Sequence, residues 1–553
     1  MSNLIIEPTD GLYINWIINW NIHSFTTDIF NIFNTNIFYP YHNTLAYSDI
    51  YITSALLAFL PTKIIAEPAV AFNFIFIFSL VTFGFFTYLL TQYLTKNHLA
   101  SVVSGTLVSF SVYTLSKPMH IQLLSIGWVP LSILFFIKFL DNKRYKYLVF
   151  SAVFFIIQVY NSFLPGYFIV FSCIFILVYY IYKNKIKLNE LSLSKILILS
   201  LFTVLIIIPI IYPYYQVSKE FNYVRDIRES VHNANRPEYI LYPGFATRLD
   251  NLLISTFYKN DKGPYTYDGF MGAMFFILGF LAILYRVKNR KKNFSLFNVF
   301  TGIGIFGFIL SLGPAFQWGG HVIKHPFIIP LPYALFYYLV PGFNGLRNSA
   351  RWEMLFLFSF SICIGIFLAN YFKGKTNIFR FILSALFCLL VILEFKFPYN
   401  YYKIPTTEQF PKIYSYIKTL PDNSVIAQFP IYNWDTFPGG PYPENTREYY
   451  YSLSYPTTIN GTAGLNPPPW QEKIRYLIKN FPNNNSISLL KSMNVSHMIV
   501  NKNEYDQISG KKDIIDNKVF QSGKEIISNL SINKEIKLIK IVDDSYVYKI
   551  NQK

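Results

Sequence analysis

Long runs of Phe, Ile, Leu and Val recur along the chain with no polar stripe, and short turns carrying Lys, Arg, Asn or Pro close them. A helix on the surface of a soluble domain needs a polar face at a period of 3.6 residues. Segments 69–90 and 196–212 have none, and each is long enough to cross about 30 Å of hydrocarbon. The pattern predicts about ten transmembrane helices, near residues 69–93, 99–116, 121–140, 147–163, 165–182, 195–213, 267–286, 296–313, 352–371 and 378–398. Beyond residue 400 the pattern changes. A helical stretch at 408–420 is followed by β-like runs at 425–430 and 497–500, and a final pair, 536–542 and 546–550, is split by Asp543, Asp544 and Ser545. The expected fold is a polytopic α-helical membrane protein with a C-terminal extracytoplasmic α/β domain. Its parts are a first extracytoplasmic loop over 1–67, a transmembrane domain over 68–399 with long loops at 214–266 and 314–351, and the soluble domain over 400–553.

Charge sets the sides. Lys96; Lys143, Arg144 and Lys146; Lys183, Lys185 and Lys187; Arg286, Lys288, Arg290, Lys291 and Lys292; and Lys373, Lys375 and Arg380 fall in alternate loops, which defines the cytoplasmic face. The net charge of +18 is therefore a topology signal, and no nucleic-acid partner is expected. The remaining segments, including the turn at 117–120, face outward. Cys173, Cys363 and Cys388 lie in apolar runs and read as core residues, with neither disulfide nor zinc site. Residues 1–10 lack the basic start and apolar stretch of a secretory signal. The richness in Asn, Ile, Lys, Phe and Tyr fits an AT-rich coding genome, and the expected location is a bacterial cytoplasmic (inner) membrane.

Three sets of outward residues are candidates for chemistry. The first lies in TDGLYINWIINWNIH and NIFNTNIFYPYHNTLAYSD, which carry Asp10, Asp28 and Asp49. Residues 12–22 read as a helix lying in the membrane interface, with Trp16 and Trp20 at headgroup depth and Asp10 and His23 at its ends. A carboxylate there suits a general base; equally, Asp10 suits a helix cap and Asp49 a turn. The second set is Arg225, Arg228, Arg236, Arg347 and Arg351, whose guanidinium forks suit phosphate, or pairing with Glu220, Asp226, Glu229 and Glu353. The third is His120, Gln122, Gln158 and Asn161, polar groups at apolar depth that either line a substrate cavity or bond neighbouring helices.

The opening segment resembles the first extracytoplasmic loop of bacterial GT-C class glycosyltransferases, the group related to protein O-mannosyltransferases and lipopolysaccharide-core glycosyltransferases. HIQLLSIGWVPL, IQVYNSFLPGYF, PGFNGLRNSARW, SLSYPTTINGTAGLNPP and LLKSMNVSHMIVNK extend the likeness along nearly the whole chain. The resemblance implies an integral membrane glycosyltransferase taking a sugar from a polyprenyl-phosphate donor to an extracytoplasmic cell-envelope glycan or glycolipid. By the resemblance Asp10 and Asp49 would be the catalytic acids and Arg225 and Arg351 donor-phosphate contacts; residue type and placement add Arg228 and Arg347 to the expected phosphate set, and Trp16, His23, Asp28, His120, Gln122 and Gln158 as the expected cavity. Members of the class differ in whether they use a divalent metal. They begin with a spanning helix, so the DNA upstream of Met1 is expected to encode an apolar stretch of about twenty residues. The tandem acidic pair of the mannosyltransferases is missing, since Gly11 follows Asp10. The alternatives are a non-catalytic envelope protein (carrier, flippase component or assembly factor) and an ion-coupled transporter, which would show inverted repeats and paired intramembrane charges.

Overall fold

The computed structural model describes residues 4–5, 8–183, 185–186, 191–242, 247–248, 269–289, 295–319, 321–324, 327–396, 401–433, 442–514 and 517–551. Lys187, Arg290, Lys291, Lys292 and residues 243–246 and 249–266 of the expected loop 214–266 lie outside them. The chain separates into two compact units. A terminal unit comprises residues 1–74, 210–223 and 400–553, and a helical unit comprises 75–209 and 224–399.

Among the described residues, seven helices are long and apolar enough to cross a membrane: Ala69–Thr95, His98–Leu115, Ile121–Asn142, Phe163–Tyr182, Leu193–Glu220, Ser349–Tyr371 and Asn377–Glu394. The chain is a multi-pass membrane protein, and the expected number of about ten spans is corrected to seven candidates. The other three apolar runs do form helices, Tyr145–Val159, Ala273–Lys288 and Ser295–Ser311, but of only 15, 16 and 17 residues. At 1.5 Å per residue the shortest reaches about 22 Å. Apolar composition runs on past its end, whereas the backbone already turns at Tyr160 and Asn161.

Within the helical unit, small residues let backbones approach closely. A Cβ on Gly105 would sit 2.6 Å from the Gly84 carbonyl oxygen, and one on Gly365 would sit 2.5 Å from the Thr91 methyl. We expect Gly105→Val to destabilise the protein by about 1–3 kcal/mol, the usual cost of overpacking. Thermal unfolding in detergent checks this, with Gly345→Ala, whose Cβ would meet nothing within 4 Å, as the silent control. Around Trp352 the core is aromatic: Phe168, Phe171 and Phe343 lie with ring centroids 5.1, 5.8 and 5.5 Å from it.

The two ends of the helical unit differ. At one, the Tyr93 and Tyr180 hydroxyls both donate to Asp141, at 2.8 Å each, tying three helix ends together beside Lys96, Lys138 and Lys185. At the other, Asn161 Nδ2 donates to Ser125 Oγ at 2.5 Å, joining two turns. Lys117, His120 and Arg351 lie in turns at helix ends of this unit as well.

The terminal unit starts from helix α1, Asp10–Ser24, which is buried around most of its circumference. Trp16 is 1% exposed. The expectation of an interfacial helix with both tryptophans at headgroup depth is therefore corrected, because α1 has no free apolar face. The asparagines are its internal struts. Asn19 Nδ2 donates to the Pro68 carbonyl at 2.9 Å, Asn21 Nδ2 to that of Ile50 at 2.6 Å, and Asn15 Oδ1 accepts from the Phe72 amide at 3.2 Å. The exposed apolar stripe of this unit lies on helix α2, Ile52–Ile65, where Leu56, Leu60 and Ile64 stand one turn apart.

The C-terminal segment contributes a four-stranded mixed sheet in the order Ile426–Phe429, His497–Asn501, Ser545–Ile550, Ile536–Val542. The first pair is parallel and the others antiparallel. Two further links bind this segment to the N-terminal one. Leu4–Ile5 pairs with Tyr402–Lys403. The run 458–465 is laced to 36–47 by backbone bonds, Phe38 and Tyr39 amides donating to Asn460 and Thr458 carbonyls, both at 3.0 Å, and the Thr458 and Leu465 amides to Asn36 and Tyr47 carbonyls, at 2.8 and 2.9 Å.

Candidate functional site

In the helical unit, five residues, 116–120, separate the span ending at Leu115 from the one beginning at Ile121. So short a turn between apolar helices leaves a lysine little reach to water. Lys117 is 6% exposed, with its ammonium 5.2 Å from the centre of the Tyr113 ring. Burial pulls its ionisation down from the ordinary value to about 7, with Glu353 opposing the fall and Arg351 adding to it. Burial, and then Arg351 and Lys117, hold the His120 imidazole well below its usual range, so it is neutral near pH 7. Arg351 enters from the turn Ser349–Trp352, and its Nε is buried without a hydrogen-bond partner among the described residues. Glu353, fully buried, accepts from Asn235 Nδ2 through Oε1, while Oε2 has no partner among those residues. Two cations and a histidine are thus gathered around one carboxylate. A buried guanidinium nitrogen left unpartnered is costly, and a phosphate oxygen is the partner that suits it.

Lys117 gives this cluster a pH signature. Its folded value lies below that of the unfolded chain, so folding opposes its charge. That penalty is complete below about pH 7 and fades as pH rises towards the ordinary lysine value of 10.5. Lys117→Met should therefore raise the thermal unfolding temperature most near pH 6, with the gain shrinking towards pH 10, as a melting series in detergent would record.

The other arginines are placed differently. Arg225 bonds Glu229 at 3.1 Å, its carbonyl accepts from the Tyr337 hydroxyl, and Arg347 Nε approaches the same Glu229 carboxylate at 3.8 Å. These two are brought together by one acid. Arg228 is exposed and held by Asp226, the cap of its own short helix, at 2.5 Å. Gln122, two residues after His120, is buried. Gln158 is fully buried, with neither of its polar atoms partnered among the described residues.

In the terminal unit, Asp10 is the first residue of α1, where the helix dipole favours a carboxylate; the cap position itself is Thr9. Asp49 follows Ser48, whose carbonyl accepts from the Tyr214 hydroxyl at 2.5 Å. Tyr13 connects them. Burial pushes its phenol well above the ordinary value, with Glu448, Asp10 and Asp49 adding to the rise and a hydrogen bond with the Ser48 side chain opposing it. The two aspartates thus share a neighbour, together with a third carboxyl, Glu448. Of the expected cavity residues, Trp16 is buried and stacked on Tyr13, and His23 stacks on Tyr455 with ring centroids 4.3 Å apart. Burial, helped by Lys63, lowers the His23 ionisation. Asp28 is exposed and caps the short turn Ile29–Asn31, so it lines no cavity. No group of three or more His, Cys, Asp or Glu among the described residues is arranged to hold a metal ion.

Lys117, Tyr13, Glu448 and Asn445 were not singled out by sequence. Lys117 carried a signal, a lone cation in a five-residue turn between apolar spans. Glu448 sits in TREYYY and carried none.

Fold and site together define a multi-pass membrane protein with seven candidate spans among the described residues, a small mixed sheet and two sets of partly to fully buried ionisable residues. The chain belongs to the family described as "Domain of unknown function (DUF6311)", whose profile matches residues 23–393. No curated protein matches it. Among solved structures it is similar to the archaeal oligosaccharyltransferase AglB from Archaeoglobus fulgidus in complex with an inhibitory peptide and a dolichol-phosphate. The identity is 12% over 89% of this chain and 65% of that one, with a TM-score of 0.41. It is also similar to the Archaeoglobus fulgidus oligosaccharyltransferase in complex with zinc and sulfate, at 12% identity over 90% of this chain and 64% of that one, with a TM-score of 0.39. The chain spans just under two thirds of the length of either.

Proposed function

We propose that the protein is a membrane glycosyltransferase that moves a sugar from a polyprenyl-phosphate carrier to a cell-envelope glycan or glycolipid on the outer face of a bacterial cytoplasmic membrane. The observation that carries this reading is the buried Lys117 with the half-buried His120 and Arg351 against the single, fully buried acid Glu353, in turns at the ends of apolar spans. Cations withdrawn from water beside hydrocarbon suit an anion that is itself anchored in lipid. Asp10 and Asp49 supply the second requirement, a carboxylate able to take a proton. The resemblance of the first segment to GT-C loops points the same way.

The reaction follows from these roles. The acceptor hydroxyl oxygen attacks the anomeric carbon, and its proton passes to Asp10 or Asp49. The bond from that carbon to the phosphate oxygen breaks, and the electron pair leaves on polyprenyl phosphate, an anion of the kind that Arg351 and protonated Lys117 suit. The sugar is inverted once. On this reading residues 1–67 and 400–553 face outward.

A host lacking the protein tests this whichever sugar the carrier holds. Its lipid extract should accumulate one polyprenyl-phosphate sugar, by mass spectrometry, and its envelope should lose that sugar, with both reversed by the wild-type chain. Unchanged carrier lipids and unchanged envelope sugars would refute the proposal.

A further inference from the structure

We infer that the C-terminal segment is part of the acid site: Asn445 and Glu448, one helical turn apart on the helix Tyr442–Tyr451, position Asp10 and Asp49 through Thr9 and Tyr13. The inference rests on the proposed role of those aspartates, and it concerns positioning residues in the same unit.

Four observations carry it. The helix Tyr442–Tyr451 packs along α1. Asn445 Nδ2 donates to the Thr9 carbonyl at 3.0 Å, fixing the backbone directly before Asp10, and its Oδ1 accepts from Thr462 Oγ1 at 3.0 Å. Glu448 is fully buried; its Oε1 accepts from the Thr462 amide at 2.7 Å, and its Oε2 has no hydrogen-bond partner among the described residues. Tyr13 feels Glu448 and hydrogen-bonds the Ser48 side chain, directly before Asp49. Each aspartate is thus held through the residue that precedes it in sequence. Burial, with the Thr462 amide opposing and Glu444 adding, holds the Glu448 carboxyl well above the ordinary range. The backbone lacing of 458–465 to 36–47 gives the same segment a firm seat. The SYPTTINGTAGLN run is therefore a strap that brings this helix to the aspartates, and the C-terminal segment is more than a cover.

Site-resolved labelling tests it on the full chain in detergent, with a water-soluble carbodiimide and glycinamide read by mass spectrometry. Glu448→Ala and Tyr13→Phe should each speed labelling of Asp49 about 2- to 10-fold, the weight of one hydrogen bond. Asn445→Ala should do the same at Asp10. Glu448→Gln, which keeps an acceptor for the Thr462 amide, should label as wild type, and the exposed cap Asp28 should label alike in all variants. If Glu448→Ala fails to fold, Tyr13→Phe, which removes one oxygen, still decides the matter. Unchanged labelling of Asp49 in Tyr13→Phe, or a rise at Asp28 as large as at Asp49, would overturn the inference. If labelling shifts as expected while Asp10→Asn and Asp49→Asn still transfer sugar, the positioning stands and the proposed enzymatic role of the aspartates falls.

Discussion

On the proposed mechanism, replacing Asp49 or Asp10 by Asn should lower sugar transfer by about 10²- to 10⁴-fold for whichever of the two is the base, the loss that follows removal of a positioned proton acceptor. Asn matches Asp in shape, and its amide oxygen keeps the accepting geometry, so the protein folds and the donor still binds. What is lost is the proton acceptor. An acceptor hydroxyl is a weak nucleophile, and without a base the proton must leave to water from a site where Tyr13 and Glu448 already limit solvent. The donor substrate for this measurement is the lipid that the host lacking the protein accumulates. The rate of label leaving that lipid is compared in wild type and the two variants at equal donor occupancy. Because Asp10 and Asp49 share Tyr13, the second variant is expected to lose activity as well, by a smaller factor.

Arg351→Gln carries the next largest expectation, a weakening of polyprenyl phosphodiester binding by about 10- to 150-fold, or about 1.5–3 kcal/mol for one charge-assisted bond at a buried site. In the native cluster Lys117 and Glu353 offset one another, and Arg351 supplies the excess positive charge. With Gln in its place the remaining pair is close to neutral, and the phosphate loses its attraction. Arg351→Lys restores charge without the planar fork and should recover only part of the affinity. A diester is the right probe, since its charge stays constant over the range in which Lys117 titrates. Displacement of a fluorescent polyprenyl phosphodiester from protein in nanodiscs reads the effect. Arg228→Gln, in an exposed local pair with Asp226, should bind as wild type.

Much of the fold was legible because membranes impose one simple rule. Backbone that crosses hydrocarbon must bond within itself, so uninterrupted apolar runs become helices. All ten runs are helical among the described residues, and the error lay in length, where composition could not show the backbone turning at Tyr160. The last two strands were equally plain: Asp543 and Asp544 make the turn between Ile536–Val542 and Ser545–Ile550. Helix α1 was legible as a helix and misread as a surface. Its asparagines are buried struts to Ile50, Pro68 and Phe72, partners that lie up to 57 residues away. The candidate residues were legible by type rather than by company. Arg351 was visible in PGFNGLRNSARW, but Lys117 stands 234 residues before it, and only folding brings their charges within reach. Glu448 was illegible for the same reason, since its meaning comes from Tyr13 at the other end of the chain.

One measurement bears most directly on the proposal as a whole. Purified full-length protein in liposomes is given the accumulated polyprenyl-phosphate sugar, radiolabelled in the sugar, together with an envelope fraction as acceptor. The predicted result is label leaving the lipid for the acceptor with an equal amount of polyprenyl phosphate appearing, and neither happening in the Asp10→Asn, Asp49→Asn double variant. Label that stays on its lipid with folded wild-type protein, or that leaves as fast with the double variant, would contradict it.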